Sequence, residues 1–182
     1  MTISLEKIIP PARVTILEST DKQGALRELA GTIALADEVR DADRLLEAIF
    51  EREKIMSTGI GLGIAIPHAK IPSVTEFVVA LGKSAKGIEF NSLDGKPVHF
   101  VVMIAGPDNQ QERYLQLLAR ITLKLKDAGV RRRLAEAVEV DEILAALQGQ
   151  ENGQEPARAT RLVFDLDAAP DASFIRGFKM EI

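Results

Sequence analysis

A chain of 182 residues, of which 46% are hydrophobic and 27% charged, predicts one folded domain with at most a short appendage. A net charge of −4 and an aromatic content of only 4% argue against binding to nucleic acid or to an anionic membrane surface. The absence of cysteine excludes disulfides, thiolate chemistry and cysteine-based zinc sites. The sequence shows neither a signal-peptide core nor ~18 consecutive apolar residues for a membrane span, so we expect a cytoplasmic protein.

Helical signals dominate the first third of the chain. A short helix is expected over residues 4–9, where two prolines stop it. Thr20 opens a T-x-x-Q capping box, and apolar residues at helical spacing follow, which predicts a helix over about 21–38. Asp41 is suited to cap a second helix that ends near Lys54. This second helix therefore ends just before a glycine-rich segment.

Short apolar runs bounded by glycine, proline, asparagine or aspartate indicate strands. The expected strands cover residues 14–17, 64–66, 76–83 and 98–105. The last of them contains the run HFVVMIA, whose nearly continuous apolar character is typical of a strand covered on both faces.

Three helices are predicted after the strands. Asp108 is suited to cap a long helix, with Gln111 completing a capping box, and Tyr114 begins the apolar stripe of that helix. Two shorter helices are expected over 130–137 and 141–147. Two helices, a β-section and three helices together predict an α/β fold, with a mixed parallel and antiparallel sheet flanked by helices on both faces.

The composition changes after residue 148. The segment GQENGQEPARA is polar and typical of a linker, and the later run RLVFDLD indicates one isolated strand. We therefore expect a folded domain over residues 1–148, followed by a linker and a C-terminal tail over 149–182.

The segment STGIGLGIAIPHAK, residues 57–70, is the most informative part of the sequence. Three alternating glycines precede a short apolar run, and Pro67 fixes the backbone directly before His68. A neutral imidazole held at the end of this strand presents one nitrogen lone pair, which suits phosphoryl acceptance. The simpler alternative is a tight glycine turn followed by a histidine with a satisfied hydrogen bond.

A phosphoryl group on His68 would need hydrogen-bond donors and positive charge around it. Arg52, in the last turn of the second predicted helix, is suited to clamp phosphoryl oxygens with its guanidinium. Backbone N–H groups are the expected cradle for those oxygens, and they come from Ser57, Thr58, Gly59, Gly61 and Gly63.

Other site chemistries find little support in the sequence. The glycine spacing is not G-x-G-x-x-G, and no G-x-x-x-x-G-K-[ST] loop exists, so nucleotide-binding interpretations are weak. The chain has two histidines but neither H-x-x-x-H nor H-E-x-x-H, so we expect no metal site. The second histidine, His99, lies in the middle of a predicted strand and is expected to be structural.

A resemblance to a known family lies in the G-I-x-x-A-I-P-H core and in four pairs of residues, Arg52-Glu53, Leu93-Asp94, Pro97-Val98 and Gly106-Pro107. Over roughly residues 1–148 the chain resembles the EIIA type-2 family. This family comprises the fructose/mannitol and nitrogen-regulatory IIA components of the bacterial phosphotransferase system.

The resemblance implies a phosphotransferase component that carries its phosphoryl group covalently on His68 and uses no other cofactor. The donor would be an HPr-type phosphocarrier protein, and the acceptor an EIIB protein or a regulatory target. Arg52 matches the active-site arginine of the family by its spacing to the histidine. With no EIIB or EIIC part attached, the chain is most similar to the nitrogen-regulatory branch.

Two positions depart from the family pattern. Tyr114 stands where members usually have a second active-site histidine, and its hydroxyl would either hydrogen-bond the phosphoryl group or simply pack on the apolar stripe. Leu62 stands where the nitrogen-regulatory branch commonly has Asn or His. Two functions therefore stay open: a phosphoryl carrier that relays the group or acts as a regulatory switch, and a non-catalytic binding module that needs no relay.

Overall fold

The computed structural model describes residues 8–148. Helices α1 to α5 cover Lys22–Ala34, Ala42–Ile55, Gln111–Lys126, Ala128–Glu136 and Val140–Gln148, and a short 3₁₀ turn covers Pro11–Arg13. Strands β1 to β6 cover Val14–Ile16, Gly59–Gly61, Ile64–Ala65, His68–Lys70, Val78–Ile88 and Val98–Gly106. Most of the helix predicted over residues 4–9 lies outside the described residues, as do the linker and tail predicted over 149–182.

The six strands form one mixed sheet with the order β1-β5-β6-β3-β2, and β4 also pairs with β6. The pairs β5–β6 and β2–β3 are antiparallel, whereas β1–β5, β3–β6 and β4–β6 are parallel. The prediction of a mixed sheet is confirmed. The sequence did not indicate β2 and β4, because each is only three residues long and their stability comes from the neighbouring strands rather than from a local pattern.

Side chains of the central strands alternate between two hydrophobic clusters. On β6, Val101 and Met103 face the cluster completed by α1 and α2, whereas Val102 and Ile104 face the cluster completed by α3, α4 and α5. All four side chains are at most 1% exposed. Helices therefore cover both faces of the sheet, as the apolar run predicted.

The starts of α1 and α2 depend on aspartate caps. The prediction for Asp41 is confirmed, since its Oδ1 accepts a hydrogen bond from the Arg44 N–H at 2.9 Å. The prediction that Thr20 caps α1 is wrong by one residue. Asp21 takes this place, and its Oδ1 accepts from the Gly24 N–H at 2.9 Å. A carboxylate also complements the positive end of the helix dipole, which a hydroxyl does not.

The start of α3 lies beside the ends of β4 and β6. The predicted cap, Asp108, is wrong: α3 begins at Gln111 after Gln110, which makes no side-chain capping bond. Asp108 instead lies in the turn that leaves β6. At Gly106 the ring of Phe77 occupies the space that a Cβ would need, so glycine lets the chain pass close to this ring before it turns into α3.

None of the helices within residues 8–148 is long and apolar enough to cross a membrane. The cytoplasmic location stays a prediction.

Candidate functional site

His68 is the first residue of β4 rather than the last residue of the preceding strand. Strand β3 ends at Ala65, Pro67 accepts a backbone hydrogen bond from the Ile104 N–H at 3.0 Å, and β4 then continues alongside β6. His68 pairs in register with Ile104. The proline thus separates two short strands on the same neighbour, and the histidine emerges at the break between them.

The two ring nitrogens of His68 have different partners. Nδ1 lies 2.9 Å from the carbonyl oxygen of Ile66, which can only accept, so Nδ1 carries the proton and donates. The Nε–H of Arg52 donates to Nε2 across 3.2 Å. This arrangement fixes the tautomer and leaves the Nε2 lone pair facing a guanidinium, which is the geometry of a nucleophile that awaits an anionic group.

The pKa of His68 is lowered from 6.5 to about 4, chiefly by burial and in part by the positive charges of Arg52 and Lys70, whereas the hydrogen bond to Ile66 opposes the shift. The imidazole is therefore neutral at physiological pH. A neutral ring is the form that can accept a phosphoryl group, because protonation would occupy the lone pair of Nε2.

We expect the His68 imidazole to titrate near pH 4 in the folded protein rather than near 6.5. Between these values the unfolded chain binds the proton and the folded chain does not. The contribution of His68 to stability is thus fully present above pH 6.5 and is lost as the pH falls through about 4. An NMR titration of the ring protons checks this, with a His99→Gln variant to assign the two histidines; a midpoint near 6.5 would contradict it.

Arg52 lies in the last turn of α2, as predicted, and the helix end directs its side chain at His68. Its Nη1 donates to the carbonyl oxygen of Met56 at 3.0 Å, which anchors one edge of the guanidinium to the C-terminal end of α2. A positive charge at this end also complements the helix dipole. The structure therefore brings the predicted acceptor and the predicted clamp into direct contact.

Glu53, the neighbour of Arg52, is a buried residue to which the sequence assigned no role. It is only 8% exposed. Its carboxylate accepts from the Thr58 N–H at 3.1 Å and from the Thr58 hydroxyl at 2.6 Å, and it pairs with the Lys22 ammonium at 2.5 Å. These contacts tie α1, the end of α2 and the loop before β2 together, and so they support the position of Arg52.

Two of the predicted phosphoryl-binding N–H groups, those of Thr58 and Gly59, already have partners in the structure. The Thr58 N–H donates to Glu53, and the Gly59 N–H donates to the Ser57 hydroxyl at 3.1 Å. The Ser57 hydroxyl in turn donates to the carbonyl oxygen of Phe90 at 2.5 Å. These hydrogen bonds hold the loop against the segment that follows β5. A direct contact between the loop and a phosphoryl group stays a prediction.

The other two glycines of the segment shape the turn between β2 and β3. Gly61 and Gly63 have φ values of +87° and +74°, which favour glycine, and Leu62 between them has a φ of +59°. The Leu62 N–H donates to Asp94 at 2.9 Å, and the Leu62 side chain is half-exposed at the tip. The structure thus gives Gly61 and Gly63 a backbone role in this turn, and their part in phosphoryl binding stays a prediction.

Tyr114, in the first turns of α3, contacts His68. The two ring centroids lie 5.5 Å apart with an angle of 43° between the planes. Tyr114 is only 5% exposed, belongs to the same cluster as Leu117 and Ile121, and burial raises the pKa of its hydroxyl above the ordinary value. Both alternatives for this residue therefore have a geometric basis, since it packs on the apolar stripe and also lies against the predicted acceptor.

Lys70 and Gln111 complete the surroundings of His68, and sequence reasoning missed both. The Lys70 ammonium hydrogen-bonds the Gln111 side-chain oxygen and lies 5.0 Å from the centroid of the Tyr114 ring. The signal that could have found Lys70 is the strand period of two, which places residues i and i+2 on one side.

His99 lies away from this cluster. Its Nδ1 donates to the carbonyl oxygen of Ser84 at 3.0 Å, and it lies near the start of β6, whereas His68 pairs with Ile104 near the end of that strand. Within the described residues no group of three or more His, Cys, Asp or Glu side chains could hold a metal ion.

The fold and the site together define the class of protein: an α/β protein with a mixed sheet, in which one imidazole nitrogen faces an arginine. The sequence model of the family "Phosphoenolpyruvate-dependent sugar phosphotransferase system, EIIA 2" matches residues 7–150. The chain therefore belongs to the EIIA type-2 family of the phosphotransferase system, as the resemblance implied.

Among the similar proteins, some carry a sugar-specific name and others a regulatory one. The chain is 40% identical over 135 residues to the fructose-specific EIIA component of Haloferax volcanii, which is 74% of this chain and 81% of that protein. It is 32% identical over 153 residues to the nitrogen regulatory protein of Pseudomonas aeruginosa, or 84% of this chain and 99% of that one. It is also 39% identical over 128 residues to the fructose-specific EIIABC component of Bacillus subtilis, or 70% of this chain but only 20% of that protein.

The crystal structure of the nitrogen regulatory protein IIA-Ntr from Neisseria meningitidis has the same fold. It superposes with a TM-score of 0.73 at 26% identity, covering 79% of this chain and 98% of that one.

Proposed function

We propose that this protein accepts a phosphoryl group on Nε2 of His68 from an HPr-type phosphocarrier and then relays it or uses it as a regulatory switch. The observation that carries the proposal is the contact between the neutral Nε2 and the Arg52 guanidinium at 3.2 Å. Membership in a phosphotransferase family supplies the chemical context for this pair.

The transfer step follows from the tautomer. The Nε2 lone pair attacks the phosphorus of the phosphohistidine on the donor, and the P–N bond of the donor breaks as the new P–N bond forms. The proton on Nδ1 stays in place, where the Ile66 carbonyl stabilises the positive charge that the ring acquires. The donor imidazole leaves with the electron pair of the broken bond and its own N–H, so no net proton is exchanged.

Arg52 has to change its partner during this step. In the free protein its Nε–H occupies the lone pair that forms the new bond. As that bond forms, the guanidinium moves from the nitrogen to the phosphoryl oxygens, where hydrogen bonds between two charged groups replace a hydrogen bond to a neutral ring. Phosphoryl transfer depends mainly on positioning and charge stabilisation, so this small set of groups is sufficient.

A regulatory module that needs no onward relay is the second candidate, and Tyr114 favours it. Burial raises the pKa of its hydroxyl and keeps it protonated, so Tyr114 offers one hydrogen bond but not the imidazole donor that family members usually have at this position. A phosphoryl group adds a charge of roughly −2 and strong acceptor oxygens, which is enough to change the affinity for a partner protein. The nitrogen regulatory relatives fit this role by name.

The test is to incubate the protein with phosphoenolpyruvate, enzyme I and HPr and to weigh the intact chain. We expect a gain of one phosphoryl group. Adding a fructose or mannitol EIIB protein then separates a relay from a switch, because a relay loses the group to EIIB and a switch retains it. An unmodified mass, with an established EIIA protein phosphorylated in the same reaction, would overturn the proposal.

A further inference from the structure

Lys70 lies two residues beyond His68 on β4, and both side chains are half-buried on the same side of this strand. Ala69 between them is directed into the opposite hydrophobic cluster. The strand therefore presents an imidazole and an ammonium side by side at the surface where Arg52 meets Nε2.

Polar groups at the start of α3 hold the Lys70 ammonium beside the acceptor. It hydrogen-bonds the Gln111 side-chain oxygen, lies 5.0 Å from the Tyr114 ring centroid, and its charge is felt at His68. Burial lowers the pKa of Lys70, and the nearby carboxylate of Asp108 opposes this shift by favouring the charged form.

We propose that Lys70 is a second phosphoryl-contact residue, which donates to the phosphoryl oxygens from the side of Tyr114 while Arg52 donates from the side of α2. This inference rests on the proposed function. On phosphorylation the ammonium exchanges its neutral partner, the Gln111 amide oxygen, for an anionic phosphoryl oxygen, and this exchange strengthens the hydrogen bond.

The position of Tyr114 explains why a positive charge from Lys70 is needed at this edge of the site. The edge of the site formed by α3 offers a phenol packed against His68, and a phenol carries no positive charge. The ammonium above this ring supplies the missing charge on that edge, and the π-face of the ring holds it there. Two cations near the imidazole, Arg52 and Lys70, would then share a dianionic group.

The test compares Lys70→Met with Lys70→Arg, and with Lys54→Met as a matched control, since Lys54 is exposed on the last turn of α2. Each full-length chain is phosphorylated by HPr and, separately, by phosphoramidate, a small donor that needs no protein docking. We expect Lys70→Met to slow acceptance from both donors by about tenfold or more and to hasten hydrolysis of the phosphohistidine. Lys70→Arg should retain most of the rate, and Lys54→Met all of it.

Two further measurements distinguish a phosphoryl contact from a purely structural role for Lys70: the titration of His68 and the thermal unfolding of the variant. In Lys70→Met the pKa of His68, measured by NMR titration of its ring protons, should rise because the Lys70 charge is lost. The temperature at which this variant unfolds should stay close to that of the unchanged protein. If the unchanged protein is phosphorylated and Lys70→Met matches it with both donors, the inference about Lys70 is overturned alone. If neither donor phosphorylates the unchanged protein, the proposed function and this inference both fail.

Discussion

Substituting His68 by alanine should abolish phosphoryl acceptance, whereas the same substitution at His99 should leave it unchanged. The chain has only these two histidines, so they form a matched pair. His68 presents Nε2 to Arg52, while His99 donates to the Ser84 carbonyl toward the other end of β6. Intact mass after incubation with phosphoenolpyruvate, enzyme I and HPr gives the result directly.

The stability of both variants is the control for this comparison. His68→Ala removes a half-buried neutral ring with one backbone hydrogen bond, so we expect it to stay folded. A phosphorylated His68→Ala chain, or a His99→Ala chain that is folded yet never phosphorylated, would be incompatible with His68 as the acceptor.

Glu53→Ala should lower the free energy of unfolding by about 3 kcal/mol, since it leaves a buried hydroxyl, a buried backbone N–H and an ammonium without their carboxylate. The groups concerned are those of Thr58 and Lys22. Lys22 keeps one further contact, a hydrogen bond to the Phe90 carbonyl at 3.0 Å, which limits the loss. Urea unfolding of the purified chain measures the change.

Glu51→Ala is the matched control for this prediction. Glu51 lies on the same helix and pairs with Arg44 at 3.4 Å, but both side chains are about half-exposed. Exposed pairs contribute roughly 0–1 kcal/mol, so this variant should unfold close to the unchanged protein. Equal unfolding free energies for the two variants would show that the buried carboxylate does not support the loop.

Local sequence patterns were enough to predict the secondary-structure elements that position the site. The apolar run of β6, the Asp41 cap and the place of Arg52 in the last turn of α2 all follow from neighbours in the sequence, and the structure confirms them. The contact between Arg52 and His68 was predictable as well, because the end of α2 directly precedes the segment that carries the histidine.

The rest of the site depends on contacts between distant parts of the chain. Strand β4 exists because β6 pairs with it, and three residues carry no strand signal of their own. Gln111 was assigned to a capping box, but the strand pairing brings Lys70 to it instead. The spacing of neighbouring residues indicates neither the pairing of β4 with β6 nor the contact between Lys70 and Gln111.

The burial of Glu53 could not be predicted from its charge or its place in the sequence. A glutamate at the end of a helix is usually solvated, yet Glu53 is buried and binds Thr58. Two of the backbone donors expected to cradle a phosphoryl group, the N–H groups of Thr58 and Gly59, donate instead to this carboxylate and to the Ser57 hydroxyl. Burial decides such cases, and a sequence shows burial only indirectly.

The most direct test of the central claim is the position of the phosphoryl group on the imidazole. Because Nδ1 donates to the Ile66 carbonyl and Nε2 faces Arg52, the phosphoryl group should be attached to Nε2 of His68. NMR of the phosphorylated, ¹⁵N-labelled chain, recorded through nitrogen–phosphorus couplings, distinguishes the two nitrogens. Attachment at Nε2 is the result predicted; attachment at Nδ1, at His99 or at no histidine would contradict the account.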